Sequence, residues 1–313
     1  MTTLIAAGID VGRDSLDIAI APSGRSFRAP NIAQGIAVVV DRLQRVGVRR
    51  VVLESIGSYA QRLVRALADA GFEVGIVDPR RIHALRLAEG KRAKTDRLDA
   101  RLIARFALFM RDTVRPIPDT DALKLRALST RRRQLVEMIA MEKTRLKQAL
   151  DPEIVESLKS TLVMLTAERA RVERQLEAGA RLQPEGERRR TLLVSAPGVG
   201  PAVAITLIAD LPELGRLNRK AIASLAGLAP YTSESGIQKA DAHIAGGRPC
   251  VRTALYMAAL SAVRCDPSFK ARYQAMRDAG KPAKVALVAI ARHLLIALNA
   301  MLAADRPWTR NPT

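Results

Sequence analysis

Four acidic residues have the types and spacing to do phosphate chemistry. Asp10 lies inside the apolar run Ala7-Gly8-Ile9-Asp10-Val11-Gly12, and Glu54 ends the run Val51-Val52-Leu53-Glu54. A charge within an apolar strand is costly unless it is paired, hydrogen-bonded or bound to metal. Asp96 and Asp99, in Lys94-Thr95-Asp96-Arg97-Leu98-Asp99, fall three apart at the start of a helical pattern, so both carboxylates face the same way. Neighbouring acids repel one another, and a divalent cation relieves that repulsion. Taken singly, a helix cap accounts for Asp96 and a surface arginine for Glu54. Taken in order, the four suit a metal site of carboxylate oxygens, for which Mg2+ or Mn2+ is the matching ion. Asp14 and Asp17 are assigned to the turn and the outer strand, outside this set.

A second candidate region lies near the C-terminal end. The polar loop Tyr231-Thr232-Ser233-Glu234-Ser235-Gly236 precedes Gly246-Gly247-Arg248 and the helical start Val251-Arg252. A serine beside two arginines could attack phosphate, with Arg248 and Arg252 stabilising the charge that develops. On residue type alone a serine in such a loop is nearly always a turn residue. Upstream, Gly198-Val199-Gly200 stands directly before a helix, where small residues and free N–H groups favour phosphate. That places Gly198 and Gly200 in a hairpin like those of helix-hairpin-helix backbone binders, with a plain tight turn as the alternative. The spacing is not that of a P-loop.

The bulk properties point to a polyanionic partner. Fifty-one Lys and Arg against 31 Asp and Glu leave a net charge of +20 in 313 residues. A surplus of that size makes nucleic acid the leading partner. Aromatic residues are 3% of the chain, so phosphate contacts rather than base stacking should carry binding. Two cysteines, Cys250 and Cys265, exclude a disulfide framework. The apolar runs at 201–211 and 284–304 are interrupted by Asp210, Lys284, Arg292 and His293, and the N-terminus lacks a basic leader, so a soluble cytoplasmic protein with no membrane partner is expected.

These residues need elements to hold them. Residues 1–110 alternate strand-like and helical patterns: a hairpin from LIAAGIDVG and LDIAIAP, a helix over 33–46, the strand VRRVVLES, a helix ending on Gly71, and the strand FEVGIVDP closed by Pro79. That alternation predicts a mainly parallel α/β sheet with an antiparallel start. Between 119 and 186 strand signals cease. Leu158, Leu162, Leu165, Val172 and Leu176 recur at helical steps, which predicts two long helices joined near Asp151-Pro152 as a coiled-coil arm, or two ordinary core helices. Residues 191–304 read as mainly helical. The boundaries expected are 1–115, 116–187 and 188–313, and the tail RPWTRNPT reads as a frayed end anchored by Trp308.

The motifs GID, LES, KTDRLDA, PGVGP, GLAPYTSESG and GGR…VR, in that order over nearly the whole chain, resemble the IS110-type transposases and Piv-like invertases. The resemblance implies an RNase H-like (RuvC-like) N-terminal domain with its Asp-Glu-Asp-Asp set on Asp10, Glu54, Asp96 and Asp99. It implies a helical coiled-coil arm and a mainly helical C-terminal transposase domain whose nucleophile is Ser235, with Ser233 as the near alternative. It further implies a site shared between these domains, DNA as substrate, a structured guide RNA from the element, and assembly as a dimer or tetramer. After His243 the segment Ala-Gly-Gly-Arg-Pro-Cys departs from the Lys/Gly-Asp-rich version of many relatives, which bears on Arg248 and Arg252. Two rivals fit the same residues: a RuvC-like endonuclease that hydrolyses with water, and a non-catalytic nucleic-acid-binding protein. Actin-like sugar kinases share the Ile-Asp-Val-Gly opening, but a second phosphate loop and an adenosine motif are not found.

Overall fold

The computed structural model describes residues 4–54, 59–90, 96–109, 120–183, 185–231, 234–235, 238–239 and 243–309; at 96–97, 120, 234–235 and 238–239 the description is of backbone only. The chain divides into two compact units, Met1–Pro118 and Asp119–Thr313.

The first unit is a five-stranded sheet with helices on both faces. Strands β1 (Ala6–Val11), β2 (Ser15–Ala21) and β3 (Ser26–Pro30) form an antiparallel meander. After α1 (Ala33–Arg45), β4 (Arg50–Glu54) pairs parallel with β1, and after α2 (Gln61–Asp69), β5 (Glu73–Val77) pairs parallel with β4. Helices α3 (Pro79–Ala88) and α4 (Asp96–Phe109) complete the unit. The strand order is β3-β2-β1-β4-β5. The sheet is therefore mixed, two antiparallel pairings and two parallel, and not mainly parallel as the alternation predicted. The polar strand Ser-Phe-Arg-Ala-Pro carries too little apolar pattern to declare itself, and it supplies the second antiparallel pairing.

The sheet's two faces differ in residue size. Ile9, Val11, Leu16, Ile18, Ile20, Val51, Leu53 and Val74 point to one side and pack with the apolar residues of α1 and α2. The other side carries small residues: Ala6, Gly8, Ala19 and Ala21, which meet Ala100, Ala104 and Ala107 of α4. A Cβ on Gly8 would lie 2.1 Å from the Ala104 backbone nitrogen and 2.4 Å from the Ala100 carbonyl oxygen. Helix α4 thus rests its backbone on the sheet, which only glycine permits at this position.

The second unit is mainly helical. Helices α5 (Thr120–Gln148) and α6 (Pro152–Leu182) form an antiparallel hairpin, joined at the Asp151-Pro152 start that the sequence predicts. Leu135, Ile139, Leu165 and Val172 close its seam, and Arg132 donates to Glu173 across it at 2.8 Å. Then follow α7 (Gly186–Val194), α8 (Pro201–Asp210), α9 (Arg219–Leu225), the two-residue strands β6 (Pro230–Tyr231), β7 (Glu234–Ser235), β8 (Gln238–Lys239) and β9 (His243–Ile244), and helices α10 (Pro249–Cys265), α11 (Pro267–Asp278) and α12 (Ala283–Ala303). The boundary expected at 115/116 lies outside the described residues, and the one at 187/188 falls within α7. Helix α12 is long and apolar enough to cross a membrane, with mean hydropathy 2.0, but Ile290, Ala291, Leu294, Leu295 and Leu298 are wholly buried at the centre of this unit's core. Trp308 stacks on Phe269 with ring centroids 5.7 Å apart, and its backbone N–H donates to Ser195 Oγ, so the tail carries the anchor expected of it.

Candidate active site

Strand register assembles the acids of the first unit. Gly8 pairs with Val52 and Ile9 with Leu53, so one further step sets Asp10 beside Glu54. Neighbouring strands lie about 4.8 Å apart, which puts these two side chains on adjacent positions of one face. That face is the one covered by α4. At the far end of the same face, the buried Arg50 donates from Nη1 to the Ala107 carbonyl at 3.1 Å and from Nε and Nη2 to Glu73. Arg50 pairs with Ala6, so the last turns of α4 lie at the start of β1, and Ala100 and Ala104 lie on Gly8. Helix α4 therefore runs opposite to β1, and its first turn lies at the end of β1 that carries Asp10. This is the carboxyl end of β1 and β4, where α/β sheets place ligands.

Asp96 opens α4 and Asp99 follows in its first turn. The Asp96 side chain lies outside the described residues. Asp99 is buried, 6% exposed, and Arg86 of α3 brings Nη1 to 3.9 Å from its Oδ1 while Nη2 lies 2.7 Å from His83 Nδ1. Among the described residues no three His, Cys, Asp or Glu stand close enough to hold a metal ion. Asp10 and Glu54 are carboxylates on adjacent positions of one face, and Asp99 lies in the first turn of the helix that covers that face. Their chemistry fits a hard divalent cation such as Mg2+.

One further acid joins this row. Asp17 pairs directly with Asp10 across the hairpin, on the same face, and is buried at 6% exposure. Its strand is internal, covered by β3, rather than the outer strand expected. Arg28, opposite it on β3, donates from Nε and Nη2 to both carboxylate oxygens at 2.7–3.1 Å. The row across the sheet is thus Arg28, Asp17, Asp10, Glu54. The signal was available in the sequence: a tight turn at 12–14 pairs position 10 with position 17.

In the second unit, Ser235 pairs with Gln238 across the β7–β8 hairpin, and its side chain, like the whole of Ser233, lies outside the described residues. What is described is the stem. Tyr231 pairs with His243, and Ser224 Oγ lies 3.1 Å from the Tyr231 hydroxyl. Gly227 and Gly247, both in the left-handed region at φ 70° and 64°, press together; a Cβ on Gly247 would fall 2.1 Å from the Gly227 nitrogen. Arg252 Nη1 donates to the Gly246 carbonyl at 2.9 Å and the Gly227 carbonyl at 3.3 Å. Arg248 forms a two-pronged pair with Glu213, both contacts at 2.6 Å, and donates to the Asp210 carbonyl at 2.8 Å. Both arginines thus engage protein acceptors, Arg252 at the base of the serine hairpin and Arg248 at the end of α8 and Glu213 beyond it. The Asp210 carboxylate in turn accepts from Ser129 Oγ at 2.6 Å and Arg133 Nη1 at 2.8 Å, tying α8 to α5.

The Gly198-Val199-Gly200 turn joins α7 to α8. Gly198, at φ 78°, packs against α10, where a Cβ would lie 2.2 Å from the Ala258 carbonyl oxygen, whereas Gly200 at the N-cap of α8 faces open space.

Two family models match the chain in series. Residues 7–153 match the model described as transposase, the DEDD domain of IS110, and residues 190–274 match the transposase of the IS116/IS110/IS902 family. The chain belongs to the IS110-type transposases, the group that includes the Piv-like invertases. Among curated proteins it is 28% identical to the pilin gene-inverting protein of Moraxella bovis, over 83% of this chain and 82% of that protein. It is 26% identical to the uncharacterized 43.6 kDa protein of insertion element IS110 from Streptomyces coelicolor, over 94% and 93% of the two chains. Among solved structures it is similar to Thermus thermophilus RuvC, described in complex with a Holliday junction substrate, at 17% identity and a TM-score of 0.24, covering 36% of this chain and 83% of that one.

Proposed function

We propose that this transposase cuts and rejoins DNA strands through a phosphoserine intermediate, with Asp10, Glu54, Asp96 and Asp99 as the ligands of Mg2+ or Mn2+ and Ser235 as the nucleophile. The observation that carries the reading is the register that sets Asp10 beside Glu54 at the carboxyl edge of an RNase H-like arrangement of strands, with the buried Asp99 in the first turn of the helix over that face. When bound, a divalent cation supplies Lewis-acid stabilisation of charge on the reacting phosphate. The four acids hold that charge in place, and Gly8 with the alanines under α4 seats the helix that carries Asp96 and Asp99. Ser235 forms a bond from Oγ to phosphorus as a bond from phosphorus to a deoxyribose oxygen breaks, and the departing oxygen takes up a proton. Attack by a strand hydroxyl on the phosphoserine then reseals the backbone and restores the serine. Gly198, Gly200, Arg248 and Arg252 are proposed to lie along the nucleic-acid path, Arg252 also bracing the base of the hairpin that presents Ser235. The net charge of +20 suits DNA together with a structured guide RNA. The α5–α6 hairpin is proposed as the coiled-coil arm of a dimer or tetramer, and the domains as 1–115, 116–187 and 188–313.

The test is a recombination assay with element-end DNA and element-derived RNA, with mass spectrometry of trapped products. A DNA adduct on Ser235 in the wild type, lost in Ser235→Ala, is expected. Full recombination by Ser235→Ala overturns the nucleophile, and cleavage without any adduct favours hydrolysis by water. Asp96→Asn is expected to abolish cleavage; if it leaves cleavage intact, the metal ligands are wrongly assigned.

A further inference from the structure

The Asp17–Arg28 pair borders the acid row, yet the chemistry proposed above does not use it. Two carboxylates directly opposite on antiparallel strands have Cβ atoms about 5 Å apart, and like charges so placed repel. Asp17 is buried beside Asp10, so little water screens that repulsion. Arg28 answers it with a fork. Nε lies 3.1 Å and 3.0 Å from the two oxygens of Asp17, and Nη2 lies 2.7 Å from Oδ2. Planar two-pronged pairing of this kind fixes direction as well as charge. Arg28 reaches Asp17 from the side away from Asp10, because β3 lies beyond β2 in the sheet. The Arg28 side chain as a whole stays 60% exposed while the Asp17 side chain is enclosed. The fork therefore draws the Asp17 carboxylate outward along the sheet.

We infer that Arg28 and Asp17 are a positioning pair for the cation site. Arg28 cancels the charge of a fifth acid and holds it off Asp10, so that this acid adds no net charge beside the four ligand acids. The inference rests on the reading of Asp10, Glu54, Asp96 and Asp99 as metal ligands. It gives the two members of the pair opposite effects on cation affinity, which a pair serving only stability would not have. Removing the arginine charge leaves one extra negative charge beside the site. Removing the aspartate charge leaves one extra positive charge there.

The test is titration of the full-length protein with Mn2+ by isothermal calorimetry, alongside thermal melts with and without Mn2+. Arg28→Gln is expected to bind Mn2+ on the order of tenfold more tightly than wild type, and Asp17→Asn on the order of tenfold more weakly. The double variant Asp17→Asn/Arg28→Gln, which keeps shape and removes both charges, is expected to bind as wild type. Arg28→Gln should also melt lower than wild type without Mn2+ and recover with it. If Arg28→Gln does not fold, the weakened binding of Asp17→Asn and its restoration in the double variant still decide the matter. Equal affinities across the variants, where Asp10→Asn abolishes binding, overturn the positioning role alone. Binding that is absent from the wild type, or that Asp10→Asn leaves in place, overturns the cation site and this inference with it.

Discussion

The acid row of the first unit and the serine hairpin of the second are held by different physics. Asp10, Asp17 and Glu54 are placed by backbone register: the pairing of β1 with β2 and β4 brings them side by side, and α4 reaches them because Gly8 and the neighbouring alanines let its backbone rest on the sheet. The serine hairpin has strands two residues long, too short to fix anything by register. Its base is held instead by Arg252 on the Gly227 and Gly246 carbonyls and by two glycines in close contact, while Arg248 ties the start of α10 to Glu213 and the end of α8. The acid site should fail when its packing fails. The serine loop should fail when a few polar contacts are removed, with the core around it intact.

The largest expected break is at Gly8. In Gly8→Val any Cβ lies 2.1–2.6 Å from α4 backbone, which cannot yield as a flexible side chain would. Overpacking of this kind costs about 3 kcal/mol or more. The first unit's melting transition should fall steeply or vanish in calorimetry, while the second unit, with its own core, keeps its transition. A stable Gly8→Val with an unshifted first transition would refute the close seat of α4.

Second in size is Arg248→Ala. It leaves Glu213 and the Asp210 carbonyl without their guanidinium, in a pair whose side chains are 18% and 29% exposed. Breaking a pair at this intermediate burial should cost about 2 kcal/mol, between the surface and the buried cases. The second unit's transition should drop and formation of the Ser235–DNA adduct should be lost, with Mn2+ binding by the acid row unchanged. Arg252→Gln removes donation to two carbonyls and should cost about 1 kcal/mol. A loss of Mn2+ binding in either variant would erase the contrast between the regions.

The same contrast explains what could be read from sequence. The hairpin, β4, β5 and the 33–46 helix declared themselves through apolar alternation and helical spacing, because their burial is periodic. The Asp10–Glu54 juxtaposition followed from strand ends. Helix α3 escaped because Pro79 was read as the end of a strand, whereas Asp78 caps a helix there, accepting from the Arg80 N–H at 2.9 Å. Strand β3 escaped because its residues are polar and alternate weakly. Arg28, Arg86 and Glu213 were invisible as site neighbours, since each acts through a contact to an element distant in sequence or placed by tertiary packing. The tie from Asp210 to Ser129 and Arg133 spans more than 70 residues, and no local pattern announces it.

The smallest expected effect sharpens the comparison by marking which melting transition belongs to which unit. His293 on α12 lies against the edge of Phe269, and Arg272 Nη1 is 3.2 Å from its Nδ1. Burial, and secondly the Arg272 charge, lower its pKa below the ordinary value. The folded second unit therefore prefers the neutral ring, while the unfolded chain takes up a proton below about pH 6.5. In that window the unfolded state binds more protons, so stability falls as pH falls, and above it this contribution is constant. Acidification from pH 7.5 to 5.5 should lower the second unit's transition by a small amount. In His293→Gln that part of the pH dependence should disappear, with the first unit's transition responding identically in both proteins. A decrement that persists unchanged in His293→Gln would place the titrating group elsewhere, and the two transitions would then be distinguished by Gly8→Val alone.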